Sequence, residues 1–161
     1  NGSIIYDGVQ FENIKLLYDE VADCVVLQDS THRIKLVNER LSAFSLQESN
    51  FEYLIKKDNS PLHSTGFHEV LTKGKTNLYK KETKKIIDKF SNANELAVLF
   101  EIHHYYYIQR GDKFFEIKKK KDYISELPNW KEIIDGRNHL ISLFWNEENK
   151  SDVKIDLVLN V

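Results

Sequence analysis

The chain has 161 residues, of which 41% are hydrophobic and 12% aromatic, with only six Gly and two Pro. A chain of this length and composition can bury a core of its own, which excludes a disordered or low-complexity protein. The formal net charge is −2, but residues 71–121 hold thirteen Lys and Arg against six Asp and Glu, and the rest holds ten against nineteen. This uneven distribution predicts that the folded protein has a basic side and an acidic side. The basic side has two interpretations: its lysines protect edge strands from pairing, or an anionic partner docks on it.

The single cysteine, Cys24, has no partner for an internal disulfide, and its apolar surroundings predict an inert thiol in a strand. No apolar run approaches the roughly 18 residues of a membrane span. The chain starts at Asn1 without a methionine, which indicates either a processed mature form or a fragment.

Short apolar runs separated by turn residues predict antiparallel strands through the first half of the chain. Asp7-Gly8 is a typical turn dipeptide, Gly74 marks a tight hairpin, and Lys56–Thr65 is the most loop-like segment. The predicted strands cover Ser3–Tyr6, Ile14–Asp19, Cys24–Gln28, Arg33–Val37, Leu41–Leu46, Phe51–Ile55, Gly66–Leu71 and Thr76–Lys80.

Residues Leu96–Lys121 predict a long aromatic hairpin that turns at Gly111-Asp112, after a loop at Phe90–Glu95. Side chains alternate between the two faces of a strand, so the even positions form the core face and the odd positions form an outer row. The core face holds Val98, Phe100, Ile102, His104, Tyr106 and Ile108, and the outer row holds His103, Tyr105 and Tyr107. If water rather than a C-terminal helix covers this row, it is the first candidate for a contact surface.

After Lys121 the apolar period changes from two to 3.6, which predicts a short helix over Asp122–Leu127 and a longer one from Asn129. The segment after Ser151 fits either a strand or a helix. We predict one domain over residues 1–161, β-rich over 1–121 and helical over 122–161. The predicted class is α+β: an antiparallel, meander-like, strongly bent or barrel-like sheet of about eight to ten strands, followed by two or three C-terminal helices.

Two patterns bear on chemistry. His63, His68 and His103 would be the centre of a small metal-dependent or hydrolytic enzyme if the sheet order brought them together. Tyr105 and Tyr107 beside a lysine run resemble a stacking platform for single-stranded nucleic acid. The chain contains neither a glycine-rich phosphate loop nor a nucleophile elbow.

Several segments together resemble a family of exported proteins of unknown function that is common in Bacteroidetes. They include Gly2-Ser-Ile-Ile-Tyr-Asp-Gly8, Gly66-Phe-His-Glu-Val-Leu71 and Tyr105-Tyr-Tyr-Ile108. The resemblance implies a signal peptide removed before Asn1, a periplasmic or cell-envelope location and a helical C-terminal end, which favours helix after Ser151. Its motifs are turns and strands, so it transfers no active site.

The sequence therefore predicts a non-enzymatic cell-envelope binding or accessory protein. Its expected partner is an envelope protein or an anionic ligand rather than nucleic acid, and we expect no cofactor, metal or catalytic residue. The oligomeric state stays open. The candidate binding residues are His103, Tyr105, Tyr107, Lys118, Lys119 and Lys120.

Overall fold

The computed structural model describes residues 1–29, 31–74, 76–92, 95–118 and 153–158. Within them it contains twelve strands and one 3₁₀ turn at Asn38–Arg40. The strands are β1 (Gly2–Tyr6), β2 (Val9–Ile14), β3 (Leu16–Asp19), β4 (Cys24–Gln28), β5 (Arg33–Lys35), β6 (Leu41–Leu46), β7 (Ser49–Leu54), β8 (Gly66–Thr72), β9 (Asn77–Asn92), β10 (Glu95–Arg110), β11 (Lys113–Ile117) and β12 (Val153–Val158).

The predicted α+β class is wrong. The described residues are mostly antiparallel strands and include no α-helix. The helices predicted at Asp122–Leu127 and after Asn129 lie outside the described residues. Within the described part of the chain, no helix has the length and apolarity needed to cross a bilayer.

The segment after Ser151 is a strand rather than the helix that the resemblance favoured. β12 pairs antiparallel with β10, and its register runs from Val153 opposite Glu101 to Val158 opposite Leu96. The alternation of apolar residues along Val153–Val158 fits this pairing. Pairing with β10 therefore decides the conformation of this segment.

The turns that connect the strands of two hairpins lie where the sequence predicted them. Asp7 and Gly8 join β1 to β2 with φ of 50° and 77°, and a type I′ turn requires two such positive values. Gly111 has φ of 57° in the two-residue connection between β10 and β11. The loop predicted at Phe90–Glu95 is wrong, because β9 continues to Asn92 and β10 already starts at Glu95.

Eight of the described strands form one sheet in the order β11-β10-β9-β8-β7-β6-β1-β2, and β12 adds to β10 as a ninth. A second, three-stranded sheet has the order β3-β4-β5. The predicted large antiparallel sheet is therefore present, and its strands follow chain order from β6 to β11, but β1 and β2 join it beside β6 and a separate small sheet is inserted after β2.

The chain divides into two compact units, residues 1–84 with 104–116 and residues 85–103 with 117–161. Both sheets contribute to the main core of the first unit, which contains Ile4, Leu16, Val25, Leu41, Phe44 and Phe67. In this core Phe44 lies opposite Phe51 in the β6-β7 register, and the rings stack with centroids 4.5 Å apart. In the second unit Val98, Ile102 and Ile117 are buried.

Candidate functional site

Tyr107, which belongs to the predicted outer row, is fully buried in the first unit. It packs with Leu62 and Tyr79 in a second apolar cluster. Its hydroxyl accepts a hydrogen bond from the backbone N–H of His63 at 2.8 Å. Burial raises the pKa of Tyr107 to about 12. The loop between β7 and β8 therefore covers this part of the strand.

Tyr105 is half-buried and stacks on the exposed ring of His63. The ring centroids are 4.2 Å apart and the planes differ by 13°. Lys56 donates from Nζ to the carbonyl oxygen of His63 at 3.1 Å. The His63 backbone is therefore held at its N–H by Tyr107 and at its carbonyl by Lys56, while its imidazole stays at the surface. We call Lys56, His63 and Tyr105 the His63 surface.

The other predicted binding residues belong to the second unit. His103 is exposed and its Nε2 lies 3.2 Å from Glu101 Oε1. Lys118 is exposed as well, whereas Lys119 and Lys120 lie outside the described residues. From the predicted outer row, Tyr105 and Tyr107 thus lie together against the loop that carries His63. The sequence had suggested His63 only as part of a histidine centre.

A buried polar cluster that the sequence did not predict lies where the β3-β4 turn meets β8 and β9. Lys81 is 2% exposed and donates from Nζ to Asp23 Oδ2 at 2.6 Å and to the Phe67 carbonyl oxygen at 2.9 Å. The Tyr18 hydroxyl donates to Asp23 Oδ1 at 2.6 Å. Burial, reinforced by the Asp23 carboxylate, raises the pKa of Tyr18 well above its ordinary value. We call Tyr18, Asp23 and Lys81 the Asp23 cluster.

Gly66 provides the space for this cluster. Its φ is +143°, and a Cβ built there would lie 1.9 Å from Asp23 Oδ2 and 3.0 Å from Lys81 Nζ. Any other residue at this position would displace the ion pair. The Asp23 cluster therefore depends on one glycine, and it connects the turn of the small sheet to two strands of the large sheet.

His68 is fully buried beside this cluster. Its Nδ1 lies 3.0 Å from the Gly66 carbonyl oxygen, and its ring meets Tyr107 edge-on with centroids 5.8 Å apart. Its Nε2 has no hydrogen-bond partner among the described residues. Burial lowers the pKa of His68 to about 4, with nearby Lys81 acting in the same direction. The imidazole is therefore neutral at physiological pH.

Glu82 is the centre of a half-buried charge network on β9. Its Oε2 lies 2.8 Å from His104 Nε2, and its carboxylate lies 3.4 Å from Lys84 Nζ and 3.7 Å from Lys80 Nζ. The hydrogen bond from His104, followed by the charges around it, lowers the pKa of Glu82 to about 2 despite partial burial. His104 thus faces a carboxylate rather than the purely apolar core that its even position predicted.

The three histidines proposed for an enzyme centre have different environments. His63 is exposed, His68 is buried and bonded to backbone, and His103 lies in the second unit beside Glu101. In the part of the chain that the structure describes, no group of three or more His, Cys, Asp or Glu side chains could hold a metal ion. Cys24 is 4% exposed and unpaired, as predicted for a buried thiol.

A weak signal for the Asp23 cluster exists in the sequence. Lys81 follows Tyr79 at period two, so a lysine occupies the buried face of β9. A lysine at such a position requires a buried acceptor, but its neighbouring lysines made it look like part of a solvated run. The acceptor, Asp23, lies 58 positions earlier, and no local pattern links it to Lys81.

Comparison with known proteins returned no match: no family model, no curated protein and no solved structure is similar to this chain.

Proposed function

We propose that this chain is a non-enzymatic binding or accessory protein of the cell envelope that contacts an anionic ligand through the His63 surface. The observation that supports the contact surface is the fixed but exposed imidazole of His63. Its ring stacks on Tyr105. Its backbone N–H donates to the Tyr107 hydroxyl and its backbone carbonyl accepts from Lys56, so the backbone is fixed on both sides of the residue. A side chain that is ordered before binding loses little conformational entropy when a ligand arrives.

The charge at this surface favours an anion. Lys56 and Lys57 are both exposed in the loop that carries His63, where Asp58 is the one exposed acidic residue, so the loop is net positive. Stacked rings add a flat apolar contact of the kind that dominates binding energy at small interfaces. The envelope location is supported by the resemblance of the chain's turn and strand motifs to exported proteins.

A titration of the whole chain with a short oligoglutamate peptide, followed by NMR at low salt, tests the contact surface. We expect shifts centred on His63 and Lys56, and about tenfold weaker binding for His63→Ala, because a central contact is lost. His32→Ala is the matched control, since His32 is also exposed and its ring lies within hydrogen-bonding distance of the Thr31 hydroxyl. Binding should weaken as salt increases.

Equal affinity of His63→Ala and wild type would contradict the proposal. Tight binding of a single-stranded oligonucleotide that is lost in Tyr105→Ala would replace it by the nucleic-acid alternative. The location is tested separately by fractionating the native cells. Recovery in the cytosol would refute the envelope location without affecting the binding result.

A further inference from the structure

The edge strand β2 has a row of uncovered apolar side chains. It is the terminal strand of the large sheet and pairs with β1 on one side. Every residue from Val9 to Asn13 is exposed, and the exposed fractions of Val9 and Phe11 are 55% and 46%. An edge of this kind presents unpaired backbone groups as well as apolar side chains.

These two side chains continue the core face of the sheet. Phe11 lies opposite Ile4, and Ile4 in turn lies opposite Phe44 of the main core. Val9 lies opposite Tyr6, which packs against the same core. The apolar face that is covered at β1 and β6 therefore extends onto β2.

Two of the other edge strands, β5 and β11, carry charges of the kind that usually prevent edge pairing. β5, at one edge of the small sheet, exposes Arg33 and Lys35 on either side of Ile34. β11, at the other end of the large sheet, begins with Lys113 and contains Glu116. β2 contains neither Lys nor Pro, and its one charged residue is Glu12. The usual protection against pairing is thus missing at this edge.

We propose that β2 pairs antiparallel with β2 of a second copy of this chain, so that two large sheets join across a two-fold axis. The sequence of β2 is complementary to itself in one register. With Gln10 opposite the partner's Gln10, Val9 lies opposite the partner's Phe11, and the same pair forms again across the axis. Aromatic and β-branched side chains form favourable cross-strand pairs.

The neighbouring registers that keep the apolar faces together are worse. Centring on Phe11 pairs the two Phe11 rings but places Val9 opposite the partner's Asn13, a polar residue whose φ of 55° lies at the irregularity of the β1-β2 pairing. Centring on Glu12 places two carboxylates directly opposite each other, which is destabilising. In the proposed register each Glu12 faces Gly8 of the partner subunit instead. The isologous contact closes on itself and yields a dimer rather than a fibre.

Cysteine cross-linking tests the register in the intact protein. Gln10→Cys should form a disulfide-linked dimer under mild oxidation, because the two thiols face each other across the axis. Glu12→Cys is the matched control on the same exposed strand, and it should stay monomeric because its thiol faces glycine. Wild type controls for Cys24, which is buried.

Sedimentation velocity over a concentration series measures the association itself. The contact is small, and interfaces below about 1,200 Å² are typically weak, so we expect a dissociation constant in the micromolar range. Phe11→Lys should raise the dissociation constant at least tenfold, because the substitution places a charge opposite Val9 of the partner subunit. The far-ultraviolet circular dichroism spectrum should stay unchanged.

Three results would overturn the proposal. A wild-type chain that is monomeric at every concentration would show that this edge is not paired by a second copy. A dimer that persists in Phe11→Lys would use another surface. Equal cross-linking of Gln10→Cys and Glu12→Cys would refute the proposed register.

Discussion

Removing the ammonium of Lys81 should destabilise the protein far more than removing a lysine from a surface ion pair. Lys81→Met keeps most of the side-chain volume but leaves Asp23 Oδ2 and the Phe67 carbonyl oxygen without their donor. The lysine side chain is 3% exposed and that of Asp23 is 26% exposed. Water can therefore solvate the abandoned carboxylate only in part.

The expected loss follows from this geometry. Removing one partner of a buried ion pair costs about 3 to 5 kcal/mol. Asp23 keeps the hydrogen bond from Tyr18 and some access to water, so we expect a loss near the lower limit, about 3 kcal/mol. For a chain of this length that corresponds to a decrease in melting temperature of about 6 to 12 °C.

Urea unfolding followed by circular dichroism measures the loss, and Lys73→Met is the control. Lys73 pairs with Glu52 at the surface, and its side chain is 58% exposed, so its removal should cost less than about 1 kcal/mol. Adding Asp23→Asn completes a double-mutant cycle, in which we expect a coupling free energy above about 1 kcal/mol. If Lys81→Met costs no more than Lys73→Met, the ion pair does not stabilise the fold and the reasoning is refuted.

Two further predictions concern the same region. Gly66→Ala should lower the free energy of unfolding by at least about 3 kcal/mol, because φ is +143° and the new Cβ would overlap Asp23 Oδ2. Gly74→Ala is the control and should be neutral, because no atom lies within 4 Å of the added Cβ. Equal unfolding midpoints for the two variants would contradict this role of Gly66. His68 has its pKa lowered to about 4, so between about pH 6.5 and 4 the unfolded chain binds the extra proton and stability should fall by about 3 kcal/mol on acidification. Urea midpoints at a series of pH values should show this decrease in wild type but not in His68→Gln, and parallel curves would mean that another group is responsible.

Local patterns determined much of the strand content. The apolar run at Cys24–Gln28 and the alternating run at Leu41–Leu46 form strands with the predicted bounds, and the Asp7-Gly8 turn joins two strands. These features depend on residues close in sequence, namely side-chain alternation and the positive φ that glycine allows. The same local information was insufficient after Ser151, where a capping signal competed with alternation and pairing with β10 decided the outcome.

The candidate site depended on contacts between residues distant in sequence. Alternation placed Tyr105 and Tyr107 on one face of β10, but it did not show that the loop carrying Leu62 and His63 would fold over that face. It likewise did not show that Lys81 would reach Asp23 across 58 positions. The sequence by itself determined which residues form strands, because alternation and turn chemistry are local. Only the tertiary structure decided which faces are covered, since burial depends on which distant segment packs there.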